Sequence, residues 1–512
     1  MPVLVRVKLD AAIAASLPFG EALNRLESRR GELLPANIGK RAARAAGPEY
    51  VASIRSRLTD GLPLLPAEIV FAHRQGSGTR PVADLSVDAR VVIEAFSIEI
   101  GQRLSADAEM LGLVEHITGA EPGQRVEVDQ RPLDDPAVTH IVKADVASFY
   151  EYVDHELLSR EIVELAADVD LAYATSAFLA EITGRRYGLP QGPQGSDILA
   201  SIYLSAVDRR LIRAGVRLER VNDDYLLRCG SLGEARRHLL ALEMELRSVG
   251  LILNHQKTQI MSREKYAEGL TAFQEMLAEA AIESVEVPFG YGFDPDQFAD
   301  INLEDADQST VESAFVTALD DAERPFEVRR RMIDGALPFL AGFQSAVPAE
   351  RLDDLVATFP SQIRNANLYL RSLIGTGDEQ TAISAAVGVL GSTIAPVPWV
   401  QGWLVDVLAR ATSSDPEMIP WLRAKSADPA APWFLRTRAL IAVAHSDHLP
   451  AQEELATLFH SAPDANRPDI VAAVAMSTAE WRNTFLGSLG ANDPVLRQVT
   501  TVLDVETPLT AL

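Results

Sequence analysis

Three aspartates lie in sequence contexts that could hold divalent metal ions. Asp145 ends the apolar run HIVKAD, where a strand would stop and a loop would lead into a helix. Asp223 and Asp224 are adjacent in RLERVNDDYLLRC, and this pattern predicts a hairpin with two carboxylates at its tip. Adjacent aspartates have low strand propensity and repel each other. A divalent cation shared with Asp145 would offset that repulsion.

The metal that such side chains favour is Mg²⁺. It prefers oxygen ligands and keeps coordination positions for water and substrate phosphates. Two such ions, roughly 3.5–4 Å apart, stabilise the attacking and the leaving oxygens of an in-line phosphoryl displacement. An isolated Asp-Asp pair is more often a solvated turn, so this interpretation depends on the motifs around it.

The stretch from about residue 70 to 262 resembles the fingers and palm of reverse transcriptases, especially the bacterial group of intron, retron and phage-defence enzymes. KADVASFY (143–150) is similar to their first palm motif, and VNDD (221–224) stands where their YADD box is found. Three more motifs keep the same order, namely FAHRQGSGTRPVADLSVDARVV (71–92), YGLPQGPQGSDILASIYLSAVD (187–208) and GLILNHQKT (250–258).

The resemblance implies a role for each catalytic residue. Asp145, Asp223 and Asp224 would hold two Mg²⁺ ions, for which Mn²⁺ could substitute, and the carbonyl of Val146 would be a further ligand. Lys257 would protonate or neutralise the departing pyrophosphate. A solvated position at the end of a strand is the alternative for Lys257.

Five other residues would contact the incoming nucleotide. Arg74 and Arg80 would bind the triphosphate, because a guanidinium presents its donors as a rigid fork. Gln191 and Gly192 would lie against the nucleotide and its base pair. Tyr150 matches the aromatic gate under the sugar, which would exclude a 2′-hydroxyl and favour dNTPs. Surface charges and a core aromatic are the alternatives for the arginines and the tyrosine.

Some positions depart from the family pattern. Val221 and Asn222 replace the usual aromatic-small pair before the two aspartates, and Asp197 replaces the proline common after the motif serine. No primer-grip or thumb sequence follows Thr258. These departures weaken the expectation of processive copying of a long primed template.

The predicted fold is an α+β reverse-transcriptase fingers and palm followed by an all-α, HEAT-like helical repeat domain. Residues 1–135 would form N-terminal helices and fingers interleaved with the palm, 136–283 the palm, 284–308 an acidic linker and 309–512 the helical repeat domain. Ser231 and Glu234 form a capping-box pattern, and another helix should run from 196 to about 214. Helix candidates in the last domain include 349–359, 379–390, 399–411, 434–445, 467–476 and 494–503.

The composition is that of a globular protein without a membrane partner, and we expect a cytoplasmic location. No run of 18 apolar residues occurs and no signal peptide is recognised. The single cysteine, Cys229, excludes an intrachain disulfide. The net charge is −25, but residues 1–260 hold 30 Lys and Arg against 36 Asp and Glu, and the remainder holds 17 against 36. A basic groove for nucleic acid is therefore expected only in the first half.

A reverse-transcriptase palm followed by a helical solenoid is similar to the abortive-infection (Abi) reverse transcriptases. That resemblance implies anti-phage defence, DNA synthesis from dNTPs without a nucleic-acid template, priming from a protein hydroxyl, a covalently attached product and homo-oligomers. Tyr50 follows Pro48 and Glu49 in an expected exposed turn and is the candidate primer. A Ser or Thr hydroxyl could serve as the primer instead. The alternative for Tyr50 itself is an ordinary aromatic residue at the start of a helix.

Two other functions stay open. An RNA-templated enzyme of retron type would bind and partly copy a structured RNA, but the missing thumb and the acidic second half count against it. A non-catalytic scaffold would bind a protein partner through the helical domain. The three intact aspartates count against the scaffold.

Overall fold

The chain forms two compact units, and each unit is made of several segments that are separate in the sequence. The computed structural model describes residues 5–26, 33–64, 66–74, 78–104, 124–270, 307–411, 415–444, 448–489 and 493–503. The first unit comprises Met1–Arg25, Ile54–Pro66 and Ala89–Met276, and the second comprises Leu26–Ser53, Ala67–Asp88 and Leu277–Leu512. The predicted acidic linker lies outside the described residues, except for its last two positions.

A four-stranded antiparallel sheet is the centre of the first unit. A short pair, β1 (Val5–Val7) and β2 (Leu62–Leu64), precedes it in the chain. The sheet is made of β5 (His140–Asp145), β6 (Arg217–Val221), β7 (Asp224–Cys229) and β8 (Gln259–Ser262), in the order β6-β7-β5-β8. Ile141, Val142 and Ala144 of β5 are buried, as expected for a central strand.

Helices surround this sheet. Those that lie wholly or partly in the first unit are α1 (Ala11–Ser16), α2 (Phe19–Arg25), α3 (Ile38–Asp60), α4 (Val87–Gln102), α5 (Gln124–Asp134), α6 (Phe149–Tyr152), α7 (His155–Ala166), α8 (Val169–Thr183), α9 (Gln194–Arg213) and α10 (Leu232–Ser248). α9 packs on β6, and α10 packs on β5, β7 and β8. Most of α9 is buried, so this helix is the main core element beside the sheet.

The predicted ends of α9 and α10 are confirmed to within two residues. Ser231 caps α10, since its hydroxyl oxygen accepts the Glu234 N–H at 3.2 Å. The Glu234 carboxylate in turn accepts the N–H of Gly230 at 2.7 Å. Gly215 and Gly250 follow the two helices with φ of 82° and 77°, the left-handed conformation that ends many helices.

The second unit is mostly helical. It contains the hairpin β3 (Glu68–His73) and β4 (Thr79–Asp84). Its helices after residue 306 are α11 (Gln308–Asp320), α12 (Phe326–Gly342), α13 (Val347–Glu350), α14 (Leu352–Thr358), α15 (Ile363–Leu373), α16 (Glu379–Gly391), α17 (Pro398–Arg410), α18 (Ile419–Ala427), α19 (Trp433–Ala444), α20 (Gln452–Ser461), α21 (Arg467–Met476), α22 (Arg482–Ser488) and α23 (Pro494–Val502). The six candidate helices are confirmed, although 349–359 is two short helices that meet at Arg351.

These helices pack mainly on near neighbours in the chain. α12, α15, α17, α19, α21 and α23 form one row in which each helix contacts the next, and α16, α18, α20 and α22 pack on members of that row. Nearest-neighbour stacking of this kind is the pattern of helical repeat proteins. A HEAT-like geometry stays a prediction. No helix in the described ranges combines the length and the hydropathy that crossing a membrane requires.

Two N-terminal segments are bonded into the second unit. The first segment is held through Leu33, whose carbonyl accepts a hydrogen bond from Trp399 Nε1 at 2.5 Å. The β3–β4 hairpin is held in the same way, since the Glu68 carboxylate accepts the Trp433 N–H at 2.8 Å. These bonds join residues more than 360 positions apart in the chain. The grouping of residues 26–53 and 67–88 with the second unit follows from such contacts.

Gly402 offers a test of the packing of α17 on α19. A Cβ at this position would overlap the ring of Phe434, whereas a Cβ at Gly388 of α16 would meet nothing within 4 Å. We expect Gly402→Ala to lower the free energy of unfolding by about 1–3 kcal/mol through overpacking. Gly388→Ala is the matched control and should raise it by roughly 0.5–1 kcal/mol. Urea denaturation of both variants checks this, and equal stability of the two would contradict the described packing.

Candidate metal and nucleotide site

The strand register brings the three aspartates to one end of the sheet. Asp145, the last residue of β5, lies opposite Asp224, the first residue of β7. β6 and β7 are joined by a two-residue turn, Asn222 and Asp223, since Val221 pairs with Asp224. Asn222 has φ 54°, a left-handed conformation that Asn tolerates better than most residues. The predicted hairpin with carboxylates at its tip is confirmed.

The segment after α10 surrounds Asp145. The side-chain amide of Asn254 donates to Asp145 Oδ2 at 3.0 Å, and the Asn254 N–H donates to the Asp145 carbonyl at 2.7 Å. Lys257 Nζ lies 3.2 Å from Asp145 Oδ1, with 64% of its side chain exposed. The structure therefore brings Lys257 to the aspartates. Val146 is buried, and its N–H donates to the Asp223 carbonyl at 3.2 Å.

Negative charge is concentrated at this point. Burial, together with the charges of Asp224 and Asp145, raises the pKa of Asp223 to about 6, while Lys257 acts in the opposite direction. Each cause disfavours a second or third ionised carboxylate in the same small volume. A cation placed among these oxygens would relieve the repulsion.

The carboxylates suit a hard cation by their chemistry, but they are not already gathered around one point. Within the described ranges, no three His, Cys, Asp or Glu side chains converge as metal ligands do. Both oxygens of Asp145 are instead engaged by Asn254 and Lys257. Because carboxylate oxygens are the ligands that Mg²⁺ prefers, the donor set fits such an ion. A metal ion at Asp145 would therefore compete with the contacts that Asn254 and Lys257 make to its oxygens.

A buried ion pair fastens the aspartate hairpin to α9. The guanidinium of Arg220 contacts Asp208 Oδ2 at 2.7 and 2.9 Å, and both side chains are fully buried. The Tyr225 hydroxyl donates to Asp208 Oδ1 at 2.9 Å. Arg220 also donates to the Asn222 carbonyl at 2.7 Å, directly in the turn before Asp223. Arg220 and Tyr225 were not predicted from the sequence, although a charged residue within a β-compatible run is a signal that could have indicated them.

The loop before α9 lies against Tyr150. The Tyr150 carbonyl accepts the Leu189 N–H at 2.7 Å. Gln191 is buried, and Gly192 has φ 119°, which residues with a side chain rarely adopt. The Tyr150 hydroxyl donates to Asp197 Oδ1 at 2.5 Å. The Leu189 bond thus joins the backbone of Tyr150 to the loop that carries Gln191 and Gly192.

The start of α9 is fixed by α4. The Glu94 carboxylate accepts the Gly195 N–H at 3.0 Å, and a Cβ at Gly195 would lie 2.9 Å from the Ile93 carbonyl oxygen. Burial is the main cause that raises the pKa of Asp197 to about 7; the charges of Glu94 and Asp223 act in the same direction, and the bond from Tyr150 acts against them. Asp197 was noted in the sequence only as a departure from the family pattern. Its bond to Tyr150 makes it part of the candidate site.

The remaining predicted residues lie in the second unit. Arg74 follows β3, where its N–H donates to the Gly78 carbonyl at 2.8 Å, and Arg80 lies on β4 opposite Ala72. The expectation that Tyr50 lies in an exposed turn is wrong. Helix α3 continues through it after a break at Gly47, its ring is fully buried, and its hydroxyl donates to Asp88 at 2.8 Å. A buried hydroxyl in such a bond is a poor nucleophile.

Comparison with known proteins agrees with this geometry. Residues 73–289 match the family model for reverse transcriptase (RNA-dependent DNA polymerase), a range that includes all three aspartates. This part of the chain therefore resembles a reverse transcriptase domain. No curated protein matches the chain.

Several telomerase structures are similar at a low level. Apo telomerase from Candida tropicalis, truncated from its C-terminal domain, has 15% identity and a TM-score of 0.28, over 39% of this chain and 50% of that chain. Telomerase from the same organism with a TWJ fragment of telomeric RNA has 12% identity and a TM-score of 0.29, over 66% and 64%. The Candida albicans complex has 11% identity and a TM-score of 0.28, over 70% and 64%. The chain spans about half to two thirds of these proteins, and the assignment depends on the family model.

The raised pKa of Asp223 gives a pH-dependent test. Between the unfolded value near 4 and the folded value of about 6, the native state binds more protons, so its stability falls as pH rises. Asp223→Asn removes the carboxyl group that causes this loss. In EDTA, we therefore expect the free energy of unfolding of Asp223→Asn minus that of wild type to be about 1 kcal/mol larger at pH 8 than at pH 5. Chemical denaturation at both pH values measures it. For the control Asp353→Asn, which changes an exposed residue, this difference in the free energy of unfolding should be the same at both pH values. The same difference at both pH values for Asp223→Asn would contradict the charge cluster.

The hairpin anchor gives a second test. Arg220→Met would leave the Asp208 carboxylate buried without its cation, which we expect to lower the free energy of unfolding by about 3–5 kcal/mol. Arg217→Met on the same strand removes a partly exposed ion pair with Asp135 and should cost only about 0–1 kcal/mol. Denaturant unfolding of the two variants measures the difference. Similar stability losses would show that the buried pair is not an anchor.

Proposed function

We propose that this chain is a Mg²⁺-dependent DNA polymerase that joins dNTPs at the site formed by Asp145, Asp223 and Asp224. The observation that carries the proposal is the register that sets Asp145 opposite Asp224, with Asp223 in the adjoining turn, inside the range that matches the reverse transcriptase family model. Two Mg²⁺ ions, or Mn²⁺ in their place, would supply Lewis acidity at the phosphoryl group.

The other residues of the site have distinct proposed tasks. Lys257 is already within 3.2 Å of Asp145, and its ammonium would neutralise charge on the departing pyrophosphate. Gln191 and Gly192 would pack against the nucleotide, and Tyr150 would lie under its sugar. On the resemblance, Arg74 and Arg80 would contact the triphosphate. The Val146 carbonyl would complete the metal ligands.

We infer the cellular role from the resemblance to Abi reverse transcriptases alone. On that basis the polymerase acts in anti-phage defence in the cytoplasm, needs no template and starts from a protein hydroxyl. It assembles as a homo-oligomer through HEAT-like helices. The burial of Tyr50 supports a search for the priming hydroxyl among other Tyr, Ser and Thr side chains.

Incorporation of label without primer or template tests this function. Full-length protein is incubated with Mg²⁺ and labelled dNTPs, and the products are run on a denaturing gel before and after protease digestion. We expect label that stays with the protein until digestion. In Asp223→Ala it should fall by roughly 100-fold or more, because metal ligands contribute several kcal/mol of transition-state stabilisation. Chelation of Mg²⁺ should have the same effect.

The matched control is Asp353→Ala, which removes an exposed carboxylate of the second unit and should label like wild type. Full labelling of Asp223→Ala would contradict the site. Label that requires added RNA would favour the templated enzyme. No incorporation under either condition would favour the scaffold.

A further inference from the structure

Asp197 is an acid in an unusual place for a helix start. It is the fourth residue of α9, where an acidic side chain commonly accepts backbone N–H groups. That role is filled by Glu94, whose carboxylate accepts the Gly195 N–H at 3.0 Å. Asp197 instead accepts the hydroxyl hydrogen of Tyr150 at 2.5 Å. The carboxylate is therefore not explained as a helix cap.

Tyr150 links the segment after Asp145 to the loop that carries Gln191. Tyr150 comes five positions after Asp145, and its carbonyl accepts an N–H from Leu189 in the loop that carries Gln191. Both side chains of the pair are partly accessible. The pair is therefore open to contact with a ligand.

The bond fixes the phenol ring from its far end. The 2.5 Å bond from the Tyr150 hydroxyl to Asp197 Oδ1 holds the ring in one orientation. Edge contact with Phe149, whose centroid lies 5.5 Å away, supports the ring from a second side. A ring that is held in this way keeps a fixed position. It cannot move aside to make room for the 2′-hydroxyl group of a ribonucleotide.

We propose that Tyr150 and Asp197 act as one unit that discriminates deoxyribose from ribose, with Asp197 as a specificity-determining residue that positions the ring. The inference rests on the proposed polymerase function and adds a residue to it. Loss of Asp197 frees the ring to tilt, so ribonucleotides gain access while dNTPs lose little.

The ratio of kcat/KM for dATP to kcat/KM for ATP measures this discrimination. We expect Asp197→Ala and Tyr150→Phe each to lower the ratio about tenfold, within the range by which a shaped pocket rejects one added hydroxyl. Because both changes break the same bond, the double variant should be no worse than either one. Asp197→Asn keeps an acceptor oxygen and should retain most of the ratio.

The outcomes separate the two proposals. Equal losses for both nucleotides in Asp197→Ala, with the wild-type ratio kept, would show a merely structural role and overturn the inference. Additive losses in the double variant would also overturn it. If Asp197→Ala fails to fold, Tyr150→Phe tests the same bond with the ring intact. Wild-type protein that incorporates neither nucleotide would contradict the polymerase function, and the inference with it.

Discussion

The first unit must hold three aspartates together at one end of the four-stranded sheet, although their negative charges repel each other. Asp145 and Asp224 are register partners, and Asp223 occupies the turn beside them, where burial and its neighbours raise its pKa to about 6. Such an arrangement opposes folding unless other contacts hold it. Carboxyl groups whose pKa values are shifted, and which the surrounding structure holds close together, are typical of functional sites. The strand pairing, the loop at Asn254 and the buried anchor all serve to keep this charge in one place.

The anchor and the loop before α9 are both connected to the same helix. The Arg220–Asp208 pair joins the hairpin to α9, and the same helix starts at the loop that contacts Tyr150. One helix therefore contacts the hairpin that carries Asp223 at one point and begins at the loop that carries Gln191 at another. Glu94 fixes the N-terminus of this helix from α4. A change in the packing of α9 would consequently affect both halves of the proposed site.

Local features were predictable from the sequence, whereas contacts between distant segments were not. The apolar run that ends at Asp145, the hairpin at Asp223 and the capping box at Ser231 all depend on neighbours within a few residues, and the structure confirms them. The Tyr150–Asp197 bond spans 47 positions and depends on how α9 packs, which no local pattern encodes. Pro48 suggested an exposed turn at Tyr50, but the helix resumes after Gly47 and buries the ring. The placement of the β3–β4 hairpin with the helical unit depends on contacts across more than 360 residues.

The central claim is that the three aspartates share divalent ions. Anomalous diffraction from crystals of the full chain soaked with Mn²⁺ and a non-hydrolysable dNTP tests it most directly. The account predicts an anomalous peak bonded to oxygens of Asp145 and Asp224, with Asp223 at the same cluster, and loss of that peak in Asp223→Asn. It also predicts that Lys257 no longer contacts Asp145 when the ion is bound. A peak only at other carboxylates, or the same peak in Asp223→Asn, would contradict the account.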